Sequence, residues 1–194
     1  MRSIKICSAI LMLCTVSAAH AGEEACRRQM MPSPIESAML ERPVAVNNVI
    51  TFAATPIYDS VGRSWVVRLL QPFDKRPATL TIVALRQRLD CNVYDVENRW
   101  EAELEATEYE AVTAKLVPLA MPSLEQFKSR KSGMGRIGGT GLLVEMRTQG
   151  WQVTRLLNYR DADGQSISSV IRKIVARNAP QAMLPASADW SSPR

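Results

Sequence analysis

Through most of the middle of this chain, apolar and polar residues alternate. Only near the C-terminus do apolar residues recur every three to four positions. A period of two marks strands with one buried face, and a period of 3.6 marks an amphipathic helix. Residues 49–54, 64–70 and 79–91 predict three strands, the second ended by Pro72. In the third, Val83, Leu85, Leu89 and Cys91 share one parity, and Leu80, Ile82 and Ala84 the other. Its first half therefore reads as buried on both faces and its second half on one. In residues 99–106, Trp100, Ala102, Leu104 and Ala106 alternate with Glu101, Glu103 and Glu105. That pattern predicts a half-exposed strand, although the Ala- and Glu-rich composition also suits a helix. Residues 112–117 read as a further strand, broken by Pro118. Residues 142–146 and 151–159 flank Thr148, Gln149 and Gly150, which is a hairpin signature.

Helical periodicity starts at Ser166. Ile167, Val170, Ile171, Ile174 and Val175 form one stripe, and Asn178 and Pro180 end it. Near the other end, Ser33, Pro34 and Glu36 have the layout of a helix start: an N-cap, a proline at the first position and a capping box. Pro43 stops that helix, which would offer Ile35, Met39 and Leu40 to a core. Residues 59–62 and 161–164 read as turns. The fold class is α+β: a curved antiparallel sheet with a short N-terminal helix and a C-terminal amphipathic helix packed on it. Residues 22–179 form one domain, and residues 180–194 read as a mobile tail in which Trp190 is available to dock.

The first residues set the compartment. Arg2 and Lys5 precede a short apolar run at 6–16, and Ala19-His20-Ala21 is a small-x-small cleavage site. Residues 1–21 thus read as a secretory signal peptide, too short and wrongly flanked for a membrane span. The expected location is periplasmic or secreted, with no membrane span. Cleavage removes His20, the only histidine, and with it Ser-His-Asp and Cys-His catalysis and histidine-ligated zinc. Cys7 and Cys14 also leave, so Cys26 and Cys91 remain and read as one disulfide in an oxidising compartment. Closing so long a loop stabilises by about 4 kcal/mol in the chain-entropy description. Loss of Arg2 and Lys5 lowers the formal charge from +5 to +3, too mild to imply a nucleic-acid partner.

The stretch GMGRIGGTG, residues 133–141, contains G-x-G-x-x-G. A dinucleotide fingerprint needs an apolar strand before the glycines and a helix after them. Here a polar, basic segment precedes and a strand-like run follows, so the glycines read as a flexible loop and no cofactor is expected. Lys128, Arg130, Lys131 and Arg136 surround this loop and are candidates for holding an anion. Asp161-x-Asp163-Gly164 resembles part of a calcium loop but lacks its first and last ligands, so no metal is expected. Glu101, Glu103 and Glu105 are candidates for contact with a cationic partner, although alternating glutamates most often form a solvated face. Trp65, Trp100 and Trp151 read as core residues of their strands.

The segments YDSVGRSWVVRLLQPFD, LRQRLDC and NRWEAELEATEY, lying between residues 58 and 109, resemble the surface-adhesin protein E type of exported bacterial domain. The resemblance implies a β-rich, adhesive or partner-binding module with no catalytic residues to carry over. That family ends near a further cysteine, whereas this chain ends in a helix and a cysteine-free tail. The expected function is non-enzymatic binding at the envelope, to a protein or an envelope polymer. The alternative is an enzyme inhibitor or immunity-type protein acting through the acidic strand. The sequence leaves the oligomeric state open.

Overall fold

The computed structural model describes residues 33–40, 46–56, 63–73, 76–88, 93–121, 140–148, 150, 152–185 and 190. The expected signal peptide at 1–21, Cys26, Cys91, Trp151, the turn expected at 59–62 and the expected glycine loop with Lys128, Arg130, Lys131 and Arg136 lie outside them. Helix α1 (Pro34–Ser37) precedes four strands: β1 (Val46–Pro56), β2 (Arg63–Pro72), β3 (Ala78–Arg88) and β4 (Val93–Leu104). Helix α2 (Ala106–Ala120) follows, then the hairpin β5 (Thr140–Thr148) and β6 (Gln152–Asn158), then α3 (Ala162–Asn178) and a 3-10 turn (Pro180–Ala182). The strands form one open antiparallel sheet in the order β4-β3-β2-β1-β5-β6. The architecture is α+β, with helices packed on the sheet as the patterning predicts.

The alternation sorts into two faces. Ile50, Phe52 and Ala54, Trp65, Val67 and Leu69, and Leu80, Ile82 and Ala84 project to one side, joined by Leu142, Val144 and Met146. This layer meets Tyr109, Leu116 and Ala120 of α2 and Ile167, Ile171, Ile174 and Val175 of α3. Trp65 and Trp100 stack there, 6.1 Å between centroids. Trp190 docks on the same layer, its ring 5.1 Å from that of Phe52 and its indole N–H donated to Ser168 Oγ. The opposite face is thinner. Ala53, Val66, Val83, Leu85 and Tyr94 pack with Ala38 behind α1. β3 is buried on both faces up to Leu85 and exposed at Arg86 and Arg88, as its sequence predicts.

Helix α2 corrects the expectation of a strand at 112–117. Val112, Thr113 and Val117 are β-branched and look strand-like, but the packed positions are Tyr109, Val112, Leu116 and Ala120, which is helical spacing. Pro118 does not break this helix. Its missing N–H leaves the Ala114 carbonyl without its helical donor, but only two residues of the helix follow it, so little of the helix is disturbed. Fifteen residues give about 22 Å of helix, and five interstrand gaps give about 24 Å of sheet. α2 therefore crosses from β4 at one edge to β6 at the other. Its end is fixed there by buried Arg155 of β6, which donates to the Leu119 carbonyl and, at 2.6 Å, to Asp163 of α3.

The capping box at α1 forms as predicted. Ser33 Oγ accepts from the Glu36 N–H, and Glu36 Oε2 accepts from the Ser33 N–H. The helix is a single turn, because Met39 turns back at φ 50°, and Met39 is 77% exposed where a core position was expected. Ile35 and Leu40 do pack on the sheet. The turn expected at 161–164 is displaced. Asp161 is the N-cap of α3, and Asp163 and Gly164 belong to its first turn. Among the described residues, no helix is long and apolar enough to cross a membrane.

Candidate functional site

Register assembles the polar half of the thinner face. Glu101 of β4 is paired with Thr81, Thr81 with Arg68, Arg68 with Thr51, Thr51 with Glu145, and Glu145 with Thr154. These six residues form one row across all six strands. The next row runs Glu103, Thr79, Leu70, Val49, Arg147 and Gln152. At the β1–β5 side these rows floor a cleft of about 660 Å³. Ser33, the N-cap of α1, and Ile35 and Glu36 within it form one wall. Val49, Thr51 and Arg68 lie along the floor, and Glu145, Arg147 and Gln152 form the far side.

The charges in this cleft are unevenly solvated. Arg68 is 9% exposed, so its guanidinium is set into the sheet and not out in solvent. Glu145 is half-buried. Burial, and then the nearby Glu36 carboxylate, push its carboxyl above the ordinary value of 4.5. Both effects act against the charged form. Arg147 is two residues on, on the same face of β5, and exposed. Among the described residues, the side chains of Glu145 and Arg147 make no hydrogen bond or ion pair. The site thus pairs a poorly solvated carboxylate with a nearby guanidinium, and both can take a partner from outside.

The predicted site residues lie elsewhere or at the margin. Glu101 and Glu103 project from β4, an edge strand, on the same face as the cleft, and both are exposed. Glu105 has left the strand and is the exposed N-cap of α2. Glu101 is paired with Arg99 at 2.7 Å, and Glu97 with Arg63 at 2.5 Å. Exposed pairs of this kind contribute little. Among the described residues, Glu103 and Glu105 have no such partner. Charged side chains on an edge strand also discourage unwanted strand pairing. The glycines of the 133–141 stretch lead into β5, an antiparallel strand, where a dinucleotide fingerprint would open a helix. Asp161 accepts from the Asn158 N–H at 3.0 Å and Asp163 holds Arg155, so both carboxylates are structural.

The cleft residues were not singled out from sequence. The one signal available was a set of polar residues, Thr51, Arg68 and Thr81, at positions where strand parity buries them. No protein-family model matches the chain, and no curated protein matches it.

Proposed function

We propose that this protein is an exported, non-enzymatic binding protein of the bacterial envelope, adhesin-like in type, whose ligand lies in the cleft beside α1. The observation that carries this reading is the cleft itself. A volume of 660 Å³ is of the size that holds a small ligand or a polymer segment, and its wall and floor carry charges of both signs. Arg68 and Glu145 are held by paired strands, so the charges are positioned before a ligand arrives. The secretory leader at residues 1–21 supports export, and the resemblance to surface-adhesin protein E supports the adhesive type.

A second reading rests on β4. Its exposed Glu101 and Glu103, with Glu105 beyond them, would meet the basic cleft of an enzyme that this protein inhibits. Co-sedimentation with isolated envelope polymers separates the two. Under the first reading, Glu145→Gln with Arg147→Gln abolishes sedimentation, and lysine at 101, 103 and 105 leaves it unchanged. Under the second, only the lysine variant loses its partner. If both variants sediment as the parent does, the cleft reading fails.

A further inference from the structure

Resting on the cleft reading, we infer that the ligand is zwitterionic: an ammonium meets Glu145 and a carboxylate meets Arg147, about the length of a dipeptide apart. Three observations combine. Glu145 and Arg147 are the two cleft charges without a partner among the described residues. They are two positions apart on one face of β5, which sets their Cα atoms about 6.8 Å apart. Two extended residues of peptide span about 7 Å, so the termini of a dipeptide reach both groups at once.

The surroundings discriminate. A lone anion that reached Arg147 would lie against the carboxylates of Glu145 and Glu36. A lone cation at Glu145 would leave Arg147, on the same face of β5, without a counter-charge. A ligand with both charges, in this order along β5, gives each of the two groups a counter-charge. Thr51 and Gln152, at the floor and far side, supply neutral donors and acceptors for the amide between the two ends. The cleft exceeds a small dipeptide in volume, which leaves room for side chains or for the polymer that carries the peptide.

Two sources share this chemistry: a free dipeptide, or a polymer-borne peptide whose end carries a free side-chain ammonium beside its terminal carboxylate. Calorimetric titration of the mature protein with alanyl-alanine, N-acetyl-alanyl-alanine and alanyl-alanine amide tests the charge requirement. The free dipeptide should bind at least tenfold tighter than either capped form. Glu145→Gln should remove the preference for a free ammonium, and Arg147→Gln the preference for a free carboxylate. Equal binding of all three, or binding of none, overturns the inference. Competition identifies the source. Alanyl-alanine that displaces the protein from sedimented polymer supports a polymer-borne peptide end, and binding of dipeptide without displacement supports free peptide. If no dipeptide binds while sedimentation still depends on Glu145 and Arg147, the zwitterion inference falls and the cleft reading stands. If sedimentation is also independent of them, both fall.

Discussion

Replacing Gly164 with alanine should destabilise the protein, although the same change in an ordinary helix does the opposite. Gly164 sits in the first turn of α3, and its backbone is not in the left-handed region. Alanine is intrinsically better than glycine in a helix by about 0.8–1.0 kcal/mol. A Cβ at this position, however, would stand 2.2 Å from the Asn158 carbonyl oxygen, 3.1 Å from its carbon and 3.2 Å from Leu142 Cδ1. The first two atoms are backbone and cannot rotate away. The start of α3 must therefore lift from the end of β6. That carbonyl accepts the Asp161 N–H at 3.0 Å, so the lift also strains the turn that leads into the helix. Overpacking of this kind costs about 1–3 kcal/mol, and a weakened hydrogen bond adds about 0.5–1.5 kcal/mol. After the helix gain is subtracted, a net loss of about 0.5–4 kcal/mol remains. For a chain of this size that lowers Tm by roughly 1–16 °C. Gly150→Ala is the control, since a Cβ there meets nothing within 4 Å. Thermal melts and urea midpoints of both variants provide the measurement. A Gly164→Ala protein that melts at or above the parent temperature would refute the packing argument, as would an equal loss in Gly150→Ala.

Three further outcomes are expected. Trp190→Ala should cost about 3–5 kcal/mol, because a buried ring against Phe52 and its bond to Ser168 are lost together; a urea midpoint unchanged from the parent would contradict the docked position. Glu145 has a folded-state pKa above its ordinary 4.5, so the native state holds this proton more tightly than the unfolded chain. Its contribution to stability is full below 4.5 and is lost as pH rises through the raised value, so Glu145→Gln should flatten that part of the pH–stability profile and be relatively more stable at neutral pH. Alkylation of the mature, unreduced, denatured protein should label neither Cys26 nor Cys91, and two labelled thiols would refute their disulfide.

What was legible in the sequence was local. The capping box at Ser33 and Glu36 needs four consecutive residues, and it formed as expected. Strand parity in β3 and β4 needs only the neighbouring residues, and it grouped Leu80, Ile82 and Ala84, and Trp100, Ala102 and Leu104, as the structure does. Helix α2 was hidden because the strand alternation runs into it without a signal. Its N-cap, Glu105, makes no side-chain capping bond, and Pro118 looks like a stop while lying inside the helix. The cleft was hidden for a different reason. Arg68, Thr51 and Glu145 come together only through the registers of β1 with β2 and of β1 with β5. In sequence, Thr51 and Glu145 are far apart, and each looks like any polar residue in an alternating strand.

Glu145 also shows why the polar row is better explained by contact than by stability. A sheet face that already packs Ala53, Val66 and Val83 could continue apolar toward Thr51 and Arg68. Instead it places a guanidinium and a half-buried carboxylate there. Burial removes part of the water that would stabilise the Glu145 anion, and Glu36 adds a repulsion of the same sign. At neutral pH both effects work against the folded state. A bound ammonium reverses them, because a close cation favours the anion and lowers its pKa. Binding and protonation at Glu145 are thus linked: the dipeptide should release a proton as it binds near the raised pKa, and its affinity should fall in more acidic solution. It should also raise Tm by mass action, since it binds only the folded cleft. In Glu145→Gln the proton release disappears while the fold is kept, which separates a carboxylate that meets a ligand from one that only tolerates burial.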